Sequence, residues 1–432
     1  MNSTTDKSYS RFLVLWAGQL ASSIGSGMTA FALGIYAFQQ THAASEYSLI
    51  ILLAFLPSFL LKPIGGVLAD RLDRKFLMIF GDIGAAAGVL FIALMLWLGS
   101  HAMWPVYLGV AVSSVFFALQ NPAYKAVVTD LLDPASFTKA SGLMQLAESS
   151  RYLVSPILAG ALMSVFKIET VLLIDVATFA FAIMAVMWVK RSVVVSQAAQ
   201  PQAGIIADLR SGFDFVFTHG GILGLLMVTS LVTFAIGFLQ ALIGPMMLAY
   251  TDAQTLGMTL TLSATGMLAG GVLIGIWGGK QGRVNILSVS MACAGLCYAL
   301  MGVSTQVYFI VLSGFSFFFA LTFVNTHLDV LIRQNVAMNF QGRVWSIVSL
   351  ISQTGMVIAF GSAGYLADHL FNPLLQTNGA LAASVGSYIG VGPGRGIGLL
   401  FVLSGIVVIL TALMLARLRV IRALEVERDI AV

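Results

Sequence analysis

The chain has 432 residues, 59% of them hydrophobic and 9% charged, where an ordinary soluble domain has roughly 45–50% and about 25%. Its 22 basic and 18 acidic residues cannot cover so apolar a chain with polar surface, which excludes a water-soluble globular protein and makes lipid the solvent for most of it. The net charge of +4 is better read by position than as a sum, and no nucleic-acid partner is expected.

The polar start MNSTTDKSYS gives way to an apolar run from Phe12 to Phe38, too long for a signal-peptide core, so no cleavable signal is expected. A membrane-crossing helix needs about 20 mainly apolar residues. Six such stretches run near 12–39, 47–69, 76–99, 103–121, 140–165 and 168–190. Six more run near 222–250, 256–278, 284–303, 306–332, 344–367 and 396–417. Backbone groups in lipid must pair within their own segment, so these are helices. The expected fold is an all-α polytopic membrane protein of twelve spans in two six-helix bundles, 1–190 and 222–417, with a cytoplasmic tail at 418–432. Between the bundles, residues 191–221 begin polar (SQAAQPQAG). They continue with Ile205, Ile206, Leu209, Phe213, Val216 and Phe217 on one helical face, the pattern of an amphipathic helix at the membrane surface.

Several stretches along the way stand out. Between the second and third spans, GGVLADRLDRKFLM places Asp70, Arg71, Asp73, Arg74 and Lys75 in six positions. The fifth span holds Glu148 and Arg151, about 13 Å and 18 Å in from its inner end. Three residues apart, they share a helix face and can pair. Two readings stand: a static ion pair facing the bundle interior, or a protonatable Glu148 whose affinity Arg151 sets. Asp175 lies about 10 Å into the sixth span and divides between helix packing and proton handling. Cys293 and Cys297 sit four apart in one apolar span, as buried thiols rather than a disulfide or metal site. No HxxxH, HExxH, Walker or strand-borne GxGxxG pattern occurs, so neither metal nor nucleotide cofactor is expected. The stretch from His369 to Arg395 is long for an outer loop, and its glycine-rich end is a candidate cover for the outer mouth.

Lys167 and Arg395 fall in outer loops and Lys62 and Arg151 within spans, leaving 18 of the 22 basic residues inside if both termini are cytoplasmic. The charged loop also returns in degraded form: Gly66–Arg74 aligns with Gly275–Arg283 at an offset of 209, and Gly160 with Gly364 at 204. Parallel repeats of six spans are the internal symmetry of many secondary transporters, whose cargo site lies near the midplane. Polar candidates for such a site are Gln19, Ser22, Ser26, Gln145, Gln240, Asn325 and Gln353, with Phe234 and Phe238 as aromatic lining.

A G-x-x-x-D-R-x-x-R-K loop in this layout resembles the signature of the major facilitator superfamily, over essentially the whole chain. Within it the chain is most similar to macrolide-efflux exporters, through FLVLWAGQ (12–19), AFLP (54–57), DRLDRK (70–75), FTKASG (137–142), YLVSP (152–156), GMLAGG (266–271) and GRVWS (342–346). The resemblance implies that Asp70, freed to approach by Gly65 and Gly66, caps the start of the eleventh span near Gly342 and Arg343. Arg71 and Arg74 then tie neighbouring inner ends, with Asp130 as a candidate partner. It departs from the family at the fourth span, where Ser113 or Ser114 stands in place of the usual arginine, and Arg151 is a candidate replacement.

The expected function is proton-coupled export of hydrophobic or amphiphilic compounds such as macrolides, by alternating access, from a bacterial inner or plasma membrane. The expected partners are the cargo, protons and the bilayer, with the chain a monomer and not an enzyme. The alternative is export of a siderophore or peptide product made by the host. Readings of another class are a transport-dead sensor of the same fold and a polytopic lipid enzyme.

Overall fold

The computed structural model describes the backbone of residues 2–189, 213–214, 216–277, 282–336, 338–418 and 421–422, and side chains there except at 2–7, 338–343, 345 and 346. Those residues are mostly helical, with no strand among them. The first half runs α1 (Asn2–Thr41), α2 (Ala44–Arg71), α3 (Arg74–Trp97), α4 (Trp104–Leu131), α5 (Phe137–Leu153), α6 (Ser155–Met163) and α7 (Ile168–Trp188). The second runs α8 (Gly220–Leu248), α9 (Ala253–Trp277), α10 (Arg283–Val303), α11 (Val307–Asn335), α12 (Met338–Leu366) and α13 (Arg395–Arg417). Eleven of these helices are long and apolar enough to cross a membrane alone. The twelfth span is α5 and α6 together, broken at Val154. Pro156 explains the break: it has no N–H for the helical ladder and its ring crowds the preceding turn. The surface helix expected over 205–217 falls mostly outside the described residues, as does most of the tail.

The chain divides into two compact units. The first holds α1–α7, less residues 43–45, together with Asp252–Thr261 at the start of α9; the second holds Ala43–Ser45, α8 and everything from Leu262. In the first unit α3 packs on α4, and α1 on α5, α6 and α7. Phe12, Leu15, Met78, Tyr124, Val127 and Val186 form one buried cluster there. In the second unit α10 packs between α11 and α13, while α8 packs on α12. Tyr298 of α10 is fully buried, its ring 5.5 Å from that of Phe317 and 5.2 Å from that of Phe401, and its hydroxyl donates to Ala235 O at 3.2 Å.

The repeat is visible in the packing. The buried and part-buried positions of residues 21–35 in α1 recur one for one at 231–245 in α8, although few of the residues are the same. What is inherited is which face of the first helix each bundle wraps. The stretch between α12 and α13 has its own small core, with Leu375, Ile389 and Leu399 buried and Phe371, Leu381 and Val385 against them. Arg395, counted above as an outer-loop charge, is buried at the start of α13 and donates to Gly302 O (2.8 Å) and Val303 O (3.0 Å), the last carbonyls of α10. A cation at that helix end meets the negative pole of the helix dipole.

Tyr298 sets a quantitative expectation. Tyr298→Ala leaves a cavity among three helices and should cost about 3–5 kcal/mol, whereas Tyr298→Phe loses one hydrogen bond worth about 0.5–1.5 kcal/mol. Thermal unfolding in detergent should rank wild type, Tyr298→Phe and Tyr298→Ala in that order.

Candidate functional site

The charged loop at the end of α2 is a set of fasteners. Gly65 lets α2 lie directly on the carbonyl of Ala118 in α4, where any side chain would collide; Gly66 has open space around it. Asp73 caps α3 by accepting from Phe76 N at 2.9 Å, a favourable use of a carboxylate at a helix N-terminus. Arg74 pairs with Asp130 of α4 and also donates to Ala69 O (3.2 Å) and Ala126 O (3.4 Å). Lys75 donates to Val189 O at the end of α7. Asp70 and Arg71 are exposed. Gly342 and Arg343, to which the family resemblance directs Asp70, lie where side chains are outside the described residues.

The degraded copy of the loop keeps the most important of these contacts. Arg283 donates to Gln334, and the two positions are displaced from Arg74 and Asp130 by the same 209 and 204 residues that relate the repeats. An amide has replaced the carboxylate, so the geometry persists without the charge.

At mid-membrane depth the structure separates the two candidate carboxylates. Glu148 is more than half exposed and its ion-pair partner is Lys125 of α4, at 4.0 Å, rather than Arg151. The cause is rotation about the helix: α5 exposes Ser141, Gln145, Glu148 and Tyr152, one stripe at helical spacing, while Arg151 lies off it with its stem against Gly27 of α1. A polar stripe at this depth faces water or cargo, since lipid does not tolerate it. Arg151 takes part in none of the ion pairs among the described residues.

Asp175 is the opposite case. It is 1% exposed on α7, enclosed by α1. Its Oδ1 accepts from Ser26 Oγ and Thr178 Oγ1, both at 3.3 Å, and its Oδ2 has no hydrogen-bond partner. Thr29, also buried, lies beside it. Gly25 makes room, because a side chain there would strike both Thr178 and the carboxyl. The charge of such a group can change without breaking an ion pair.

The cargo candidates divide between the units. In the first, Gln19 is buried and its Oε1 accepts from Gln120 Nε2 of α4 at 2.7 Å; Ser22 is buried, Ser26 is on Asp175 and Gln145 is exposed. In the second, Phe238 is buried with its ring 4.7 Å from that of half-buried Phe234. Gln240 and Gln353 are half-buried and Asn325 is exposed. Sequence reasoning missed Gln120, Lys125 and Thr178. Thr178 was within reach of it, being one helical turn after Asp175; the other two meet their partners across helices and leave no mark in local spacing. Among the described residues no group of His, Cys, Asp or Glu is arranged to hold a metal ion.

Comparison with known proteins shows the family of the chain. The family model of the Major Facilitator Superfamily matches residues 15–360. Macrolide efflux protein A of Streptococcus pyogenes is 28% identical over 370 residues, 83% of this chain and 90% of that one. Macrolide efflux protein A of Enterococcus faecalis is 28% identical over 311 residues, 71% of this chain and 96% of that one. The crystal structure of the nucleoside transporter NupG superposes with a TM-score of 0.75, covering 95% of this chain and all of that one (100%). At 13% identity it shows the shared fold alone.

The Arg74–Asp130 pair is only 17% and 15% exposed, so it should count for more than a surface ion pair. A double-mutant cycle with Arg74→Ala and Asp130→Ala, followed by unfolding in detergent, should give a coupling energy of about 1 kcal/mol or more.

Proposed function

We propose that this chain, which belongs to the major facilitator superfamily, exports hydrophobic or amphiphilic small molecules of the macrolide kind in exchange for protons, by alternating access. The observation that carries the coupling is Asp175, an intramembrane carboxyl group buried among hydroxyls with one oxygen unpartnered. Ionisable residues inside a membrane mark ion and proton pathways by default, and Asp175 can gain or lose a proton without an ion pair to break. Kinship with macrolide efflux proteins supports the direction and the cargo class.

On this reading Asp175 takes the proton, and Glu148, exposed on the polar stripe of α5 beside Lys125, attracts a cationic amphiphile. Each then has one task. In the first unit Gln145 orients the cargo; in the second Gln240, Asn325 and Gln353 do so, with Phe234 as aromatic lining. Asp70, exposed at the end of α2, caps the start of α12 beside Gly342 and Arg343 when the inner side is closed. The protein works as a monomer in a bacterial inner or plasma membrane with both termini cytoplasmic, the orientation that puts 18 of 22 basic residues inside.

The test uses energised inside-out vesicles with a pH-sensitive dye and a panel of macrolides, other amphiphilic drugs and siderophores. A macrolide should collapse the proton gradient in wild type. Asp175→Asn should abolish that response while still binding the drug. Glu148→Gln should keep the response but need about tenfold more drug, the cost of one charge-assisted contact. A full response in Asp175→Asn would move the proton elsewhere, and a response to siderophores alone would replace the cargo class.

A further inference from the structure

The two repeats make the same contact in two chemically different ways. In the first unit, α6 meets the start of α9: Gly160 faces Ala253 and Gln254 so closely that a side chain would not fit. In the second, the end of α12 meets the start of α2: Gly364 faces Ala44 and Ser45 in the same manner. Gly160 and Gly364 are 204 residues apart, and residues 44–45 and 253–254 are 209 apart, the offsets that relate the repeats. These are equivalent helix-on-helix approaches.

Their helix starts are satisfied differently. At α9 the cap is local: Asp252 Oδ1 accepts from Thr255 N at 2.7 Å, and this bond holds the Asp252 carboxyl below its ordinary range. The equivalent position before α2 is Ala43, which offers no side-chain oxygen. There the acceptor comes from another helix. Asp368, in a π-helical turn (Ala367–Phe371) that continues α12, accepts from Ala44 N at 3.0 Å through Oδ1, and from Ser45 N at 2.8 Å and Ser45 Oγ at 2.7 Å through Oδ2. Its counterpart beyond α6 is Ser164, which bonds only within its own helix. One contact therefore rests on close packing alone, while the other adds three hydrogen bonds to a charge at a helix N-terminus.

We infer that Asp368 is a positioning residue of the transport cycle, a carboxylate latch that fastens the start of α2 to the end of α12. The inference rests on the alternating-access reading, because only a contact that must open needs a fastener that can let go. It pairs with the role given above to Asp70: α2 carries a carboxylate at its end for the start of α12, and α12 carries one at its end for the start of α2. Alternating access makes the two mutually exclusive, so Asp368 holds when Asp70 is free.

Ala44, only 1% exposed, reports the state of the latch. With Cys293→Ser and Cys297→Ser as background, Ala44→Cys is labelled with a hydrophilic maleimide in nanodiscs, where both membrane faces are accessible. Asp368→Asn should raise the labelling rate about tenfold, the loss of one charge-assisted hydrogen bond; an unchanged rate overturns the latch. Gly364→Ala, which forces Ser45 away, should accelerate labelling likewise, and is the variant to use if Asp368→Asn does not fold. Adding Ala43→Asp to Asp368→Asn restores a local cap of the Asp252 type. Labelling should then stay fast; a return to the wild-type rate would make Asp368 a helix cap and nothing more. Labelling needs neither cargo nor protons, so an unchanged rate with intact antiport refutes the latch, while accelerated labelling without antiport refutes the exporter reading.

Discussion

Placing one ionisable residue at the centre of a membrane span costs roughly 2.5–3.5 kcal/mol on insertion scales, and the disposition of charge in this protein follows from that cost. At the helix ends charges are consumed structurally. Asp73 caps α3, Lys75 closes the end of α7, Arg74 joins α3 to α4 through Asp130, and Arg395 covers the last carbonyls of α10. Each lies where a helix leaves backbone groups unpaired. Deeper in, two carboxyl groups are buried with an oxygen unpartnered: Asp82 of α3, and Asp175, which hydroxyls surround and which takes part in no ion pair among the described residues. Asp175, held by hydroxyls rather than by a cation, is the one proposed above to carry the transported proton. Its hydroxyl surroundings suit both states, because Ser26 and Thr178 can donate to a carboxylate or accept from a carboxylic acid.

The internal repeat shows what each half has kept. Packing is preserved far better than chemistry, as the matching burial of 21–35 and 231–245 demonstrates. Arg74–Asp130 becomes Arg283–Gln334, and a helix cap borrowed from another helix at α2 becomes a local one at α9. Only the first comparison loses a charge, since Gln334 replaces the carboxylate; in the second both caps are carboxylates, one brought from α12 and one local. Function on this account is concentrated along α2 and α12 for gating and along α1, α5 and α7 for the proton, while the remaining helices hold position through apolar packing of the Tyr298 kind.

Much of this was legible in the sequence, because lipid imposes a simple rule on span length. The twelve spans, the broken fifth one included, follow from apolar runs, and ten of the twelve start within about three residues of the helices observed. The fourth span runs on to Leu131 rather than stopping near 121, since Asn121-Pro122 looks like an end but proline is tolerated inside membrane helices. Arg74 with Asp130 was within reach through the family resemblance. The partner that helical spacing offers Glu148 is Arg151, but the rotation of α5 turns it toward Lys125, which no local pattern reveals. Asp368 escaped notice because it sits where a span gives way to a loop, and only the fold brings it to residues more than three hundred positions earlier.

The central claim is that cargo and proton compete through Asp175. Proton release on cargo binding measures this without a membrane gradient: a macrolide is added to purified protein in weakly buffered detergent solution and the pH change is followed. Wild type should release protons in proportion to bound drug, and Asp175→Asn should bind the drug with no release. Equal release from both proteins would contradict the account.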